Sequence, residues 1–96
     1  MNSSYKISMK TPIGLKRGTL VLSWENGLLN GYISAMGYKS PFTDGKTDGN
    51  TFEFSGTLNA GFSKFKYSAK GTMTGDSLSA IAATKYGNLR IEGKKL

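Results

Sequence analysis

The stretch "KFKYSAKGTMTGDSLSAIAATKYGN", residues 64–88, decides the fold. Its first half alternates without a break: Phe65, Tyr67, Ala69, Gly71 and Met73 fall on one side, and Lys64, Lys66, Ser68, Lys70 and Thr72 on the other. Successive side chains of a strand point to opposite faces, so this pattern describes a strand with one dry face and one wet face. "TGD" then turns the chain, "SLSAIAATKY" returns, and "GN" turns it again. Alanine favours helices, which makes the returning segment the one place where a helix competes. Its short length and its flanking turn residues favour a strand.

The same period runs outward in both directions. "YKISMK" sets Tyr5, Ile7 and Met9 against Lys6, Ser8 and Lys10, and "GTLVLSW" sets Leu20, Leu22 and Trp24 against Thr19, Val21 and Ser23. "TPIG" separates these two as a turn, and "ENG" predicts a hairpin, because Asn-Gly tolerates the positive φ of two-residue turns. "LLNGYISAM" places Leu29, Gly31, Ile33 and Ala35 inward, and "YKSPF" reads as a short strand whose Pro41 suits an edge. "TFEFSGTL" turns Phe52 and Phe54 inward, and "LRIEGKKL" closes the chain. The expectation is one domain over residues 1–96: an all-β, single antiparallel up-and-down β-barrel of about eight short strands.

Composition excludes much chemistry. The chain has no cysteine and no histidine, so thiolate nucleophiles, cysteine-ligated metals, disulfides and the commonest general base are all absent. No apolar run approaches the ~18 residues of a membrane helix, and "MNSSYKISMK" lacks the apolar core of a signal peptide. The net charge is +7, and all but two of the 13 basic residues, Arg17 and Arg90, are lysines. Sequence-reading nucleic-acid proteins lean on the planar fork of arginine. A lysine excess speaks instead for solubility or unspecific attraction to anions.

"DGKTDGN", residues 44–50, concentrates the most polar chemistry. Counted as a calcium loop from Asp44, it puts Asp48 and Gly49 at the fifth and sixth positions, but Lys46 at the third and Ser55 at the twelfth. An ammonium and a missing bidentate glutamate argue against a cation. The reading is a pair of Asp-Gly turns between strands. "GTLNAGFSK", from Gly56, has the glycine spacing of a phosphate loop but no lysine in place and no following helix. The six carboxylates fall at turns or outward positions, which argues against an acid–base pair. No metal site, no cofactor and no enzyme activity are expected.

A faint internal repeat aligns "GLLNGYISAMGYK", from Gly27, with "GDSLSAIAATKYGN", from Gly75; Gly37 then matches Gly87, and Gly45 of "TDG" matches Gly93 of "IEG". This would make the barrel two copies of a four-strand unit. The motifs "TPIG", "ENGLLNG", "DGKTDGNTFEF" and "YSAKGTMTGDSL" together resemble a small lipocalin-like (calycin-like) all-β domain family of bacterial proteins. The resemblance covers nearly the whole chain and implies the barrel fold, alone or attached to other domains. Its shared positions are turns and core, so it implies no site residues.

Three readings of function follow. In the first, the chain is a non-enzymatic binding or accessory domain with a small apolar or aromatic ligand in the barrel, lined by Trp24, Phe54 and Tyr67. In the second, Lys64, Lys66 and Lys70 make an anion- or nucleic-acid-binding face; alternation sets Phe65 and Tyr67 opposite these lysines, which weakens base stacking as its basis. In the third, the barrel is a structural or oligomerisation domain. Tyr32, Tyr38 and Tyr86 are the aromatics expected to reach the surface.

Overall fold

A computed structural model describes residues 2–11, 14–35, 37–59 and 64–96. Eight strands run in chain order: β1 (Asn2–Thr11), β2 (Gly14–Glu25), β3 (Leu28–Ala35), β4 (Tyr38–Thr47), β5 (Thr51–Asn59), β6 (Lys64–Thr74), β7 (Ser77–Thr84) and β8 (Gly87–Lys95). Each pairs antiparallel with its sequence neighbour, and β1 pairs with β8 to close the barrel. The expected up-and-down barrel of eight strands is the observed one. The "SLSAIAATKY" segment forms β7 rather than a helix.

Alternation explains the interior. On β6, Tyr67, Ala69 and Met73 are buried while Lys64, Lys66, Ser68, Lys70 and Thr72 are exposed. Tyr5, Ile7 and Met9 of β1, Leu20 and Leu22 of β2, and Leu29, Ile33 and Ala35 of β3 fill the same core. Trp24 and Phe65, expected inside, are only partly buried and pack against its edges. Burying one such side chain is worth about 1.5–3 kcal/mol, so the closed core outweighs the weak propensity of the glycine-rich strands.

Turn chemistry follows the residues. Asn26 and Gly27 both take positive φ, 55° and 80°, which makes "ENG" the tight hairpin its sequence predicts. Thr11 and Thr84 repeat one device: each hydroxyl donates to the carbonyl of the glycine three residues on, Gly14 or Gly87, at 2.7 and 2.8 Å. Those two glycines share nearly the same φ, 114° and 113°. Residues 12–13 of "TPIG" and the centre of "GTLNAGFSK" lie outside the described residues.

The "DGKTDGN" stretch is not two turns. Asp44–Thr47 belong to β4, and the turn is Asp48–Gly49–Asn50 alone. Opposite Asn30 of β3, the β4 strand carries two residues, Thr43 and Asp44, so the first Asp-Gly is a β-bulge. Asp44 takes φ 63° there, the left-handed conformation that Asp tolerates better than most residues. The matched glycines of the internal repeat fall at equivalent places: Gly27 and Gly75 in the β2–β3 and β6–β7 turns, Gly45 and Gly93 buried in β4 and β8.

Candidate functional site

The ladder between β4 and β5 is the shortest in the barrel. It holds two residue pairs, Lys46↔Glu53 and Thr47↔Phe52, whereas β5 and β6 share nine. Two features of β4 account for this. The bulge at Thr43–Asp44 turns the strand, and Pro41 brings no N–H to a ladder. Beyond Lys46 the two strands stay adjacent without regular pairing, and a seam opens along the wall.

Side chains close what the backbone leaves open. Phe42 of β4 and Phe54 of β5 stack across the seam, ring centroids 3.9 Å apart and planes within 14°. Phe52 stacks on Phe54 at 5.8 Å, and Tyr67 of β6 meets Phe54 edge-on at 5.9 Å. At the far end, the Ser40 hydroxyl accepts a hydrogen bond from the Asn59 amide at 3.0 Å. Ser40 is the single buried polar residue of the described core, and this bond ties β4 to β5 where no ladder runs.

On the outside the seam forms a groove of about 670 Å³, with Pro41, Phe42, Thr43 and Asp44 on one wall and Ser55, Gly56 and Thr57 on the other. Gly56 contributes no side chain to that wall. A Cβ at Gly56 would stand 3.2 Å from the Tyr67 hydroxyl and 3.3 Å from Phe42. That hydroxyl is buried and has no hydrogen-bond partner among the described residues. Leaving such a group unsatisfied costs about 1–3 kcal/mol. Burial also pushes its phenol far above the ordinary tyrosine range, so Tyr67 holds a neutral O–H at physiological pH.

Of the residues expected to line a pocket, Phe54 and Tyr67 meet at this seam. Trp24 belongs to another part of the wall, half-buried at the end of β2 beside the Asn26–Gly27 turn. Phe42 and Gly56 complete the seam and were not among the expected lining residues. The bulge hides Phe42 from a period-two reading, because Phe42 and Gly45, three apart, are both buried.

The expected acid positions are all exposed. Asp48 is committed to its turn, where its carboxylate accepts from the amides of Asn50 and Thr51 at 2.9 and 2.7 Å. The Thr51 and then the Asn50 backbone amides hold its pKa below the usual carboxylate value. No group of three or more acidic side chains gathers among the described residues.

Lys64, Lys66 and Lys70 stand exposed along the outer face of β6. They are part of a larger asymmetry. Strands β6, β7, β8 and β1 with their turns carry nine cations (Lys6, Lys10, Lys64, Lys66, Lys70, Lys85, Arg90, Lys94, Lys95) against two carboxylates, Asp76 and Glu92. Residues 14–59 carry four of each and are neutral. The whole net charge of +7 therefore sits on one half of the barrel.

Tyr38 and Tyr86 are exposed as expected, whereas Tyr32 is half-buried with the Lys39 ammonium 4.4 Å from its ring centroid. No protein-family model matches this chain, and no curated protein does.

Proposed function

We propose that this chain is a non-enzymatic binding or accessory domain that takes a small, flat apolar or aromatic ligand bearing one hydrogen-bonding atom at the β4–β5 seam. The observation that carries the reading is the Tyr67 hydroxyl, buried and unpartnered immediately behind Gly56. The stacked Phe42–Phe54 pair offers the aromatic surface, and the seam, free of ladder bonds, is where the wall can part. A flat ligand entering there would exchange ring contacts with Phe54 and share a hydrogen bond with the Tyr67 hydroxyl, accepting from it as a phenol can or donating to it as an indole N–H does. Trp24 has no part in this site. A closed barrel of eight strands is of a size that can hold one small ligand, which supports this reading.

Native mass spectrometry of protein purified without denaturation tests this reading, together with titration of phenol and indole followed at the Tyr67 ring resonances. The expected result is a mass excess, or saturable shifts, lost in Tyr67→Phe and weakened in Gly56→Ala. A bare mass combined with unmoved Tyr67 resonances would remove the seam as a ligand site.

A further inference from the structure

The segregated charge leads to a second surface, independent of the seam. We propose that the β6–β7–β8–β1 half of the barrel docks on an anionic lipid surface, with Ile81 as its apolar contact.

The register places the elements of this face in rows. Lys70 of β6, Ile81 of β7, Arg90 of β8 and Lys10 of β1 are successive cross-strand partners. Ile81 is 46% exposed, so a large apolar side chain stands in water between two cations. The outward positions of β7 around it are Ser79 and Ala83, both exposed, so an uncharged strand runs between two cationic ones. On one side lie Lys64, Lys66 and Lys70; on the other, Arg90 and Lys94, with Glu92 between them opposite Ser79.

The fold keeps this charge at a cost. Across the ladder that closes the barrel, Lys6 faces Lys94 and Lys10 faces Arg90. Like charges directly opposite on a sheet destabilise it. A face that holds them side by side gains most from an opposing anionic surface.

The chemistry of the face selects among anions. A nucleic-acid face needs aromatic side chains beside its cations for stacking, or arginines for base edges. Here Tyr67 is buried and Arg90 is the single arginine. Tyr86, an exposed aromatic of this half, lies in the β7–β8 turn beside Lys85 and outside the row of Lys70, Ile81, Arg90 and Lys10, so among the described residues no line of stacking rings follows the cations. Lysines around an exposed aliphatic tip suit a headgroup layer instead, where ammonium groups meet phosphates and an apolar side chain reaches the acyl boundary.

The test is co-flotation of the full chain with vesicles of phosphatidylcholine alone and with about one-third phosphatidylglycerol. Binding to the anionic vesicles only is expected, falling at least tenfold between about 0.1 M and about 0.5 M salt. Lys70→Glu with Arg90→Glu should abolish it, and Ile81→Ser should weaken it severalfold. Lys39→Glu, a charge reversal on β4 of the neutral half, three strands from β1 and two from β6, should leave it within about twofold, whereas Lys70→Glu alone should weaken it severalfold. Should the double variant fail to fold, Arg90→Gln and Ile81→Ser carry the same comparison. Absence of binding, or equal loss from the two halves, overturns the proposal. So does tighter binding to duplex or single-stranded DNA that Ile81→Ser leaves unchanged, which would assign the face to a phosphate polymer. Tyr67→Phe should change none of these results.

Discussion

Lys10 and Arg90 stand directly opposite each other in the β1–β8 ladder that closes the barrel. Repulsion at this point works against closure and for an anionic partner. Lys10→Glu should therefore raise stability by a few tenths of a kcal/mol at low salt while reducing binding to anionic vesicles. Urea unfolding at low and high salt checks the first part. If the variant is no more stable at low salt, the pair is not under electrostatic strain.

Tyr67→Phe removes a buried hydroxyl that has no partner among the described residues and keeps the ring against Phe54. The ligand-free variant should be as stable as the parent or more stable by about 1 kcal/mol. The raised phenol pKa has a sign of its own. Stability that depends on the neutral phenol is complete below the unfolded tyrosine value of about 10 and falls as pH rises beyond it. Alkaline unfolding should thus be less steep in Tyr67→Phe than in the parent.

Asp48 makes the opposite pH prediction. Its carboxylate is held below the ordinary value by the amides of Thr51 and Asn50. A lowered folded pKa contributes stability above the unfolded value of about 4, and the contribution is lost as pH falls through the folded one. Asp48→Ala should flatten the acid limb of the melting-temperature profile below pH ~4. A carboxyl resonance of Asp48 that titrates at the ordinary value would contradict this.

Gly71 of β6 faces Ala80 of β7 with no room for a side chain. A Cβ there would sit 2.6 Å from the Cβ of Ala80 and closer still to the Ser79 carbonyl oxygen. Backbone cannot give way as a flexible side chain does, so Gly71→Ala should cost about 1–3 kcal/mol. Gly37→Ala is a contrasting case, because its turn leaves nothing within 4 Å of the new methyl and only the positive φ of 80° opposes it. Thermal melts of the two variants should separate crowding from backbone strain.

Most of the barrel is legible in the sequence because an antiparallel strand with one wet face has the simplest possible code. "KFKYSAK" and "YKISMK" carry it without interruption, and Asn26-Gly27 announces its own turn geometry. The seam is not legible for a physical reason. Asp-Gly satisfies a turn and a bulge equally, since each needs a residue that accepts left-handed φ. Only the pairing partner, Asn30, distinguishes them, and that contact is made across strands. The bulge then shifts the phase of β4, so Phe42 pairs with Phe54 in a way that counting by twos does not find. The basic half is a related case. Its lysines are visible one by one, but their gathering depends on β1 lying beside β8, a neighbourhood created only when the first and last strands of the barrel pair.

That closing ladder also governs how the molecule comes into being. Every other pairing joins consecutive strands, but Tyr5 must find Lys95 across almost the entire chain. Loop-closure entropy grows only slowly with length, yet for a loop of roughly 90 residues it amounts to about 4 kcal/mol, and such non-local contacts slow folding. During synthesis β1 is made before β8 and has no partner on that edge until β8 has left the ribosome. Until then the nascent chain is a curved ribbon with two raw margins, and closure is the step at which a growing sheet becomes a protein.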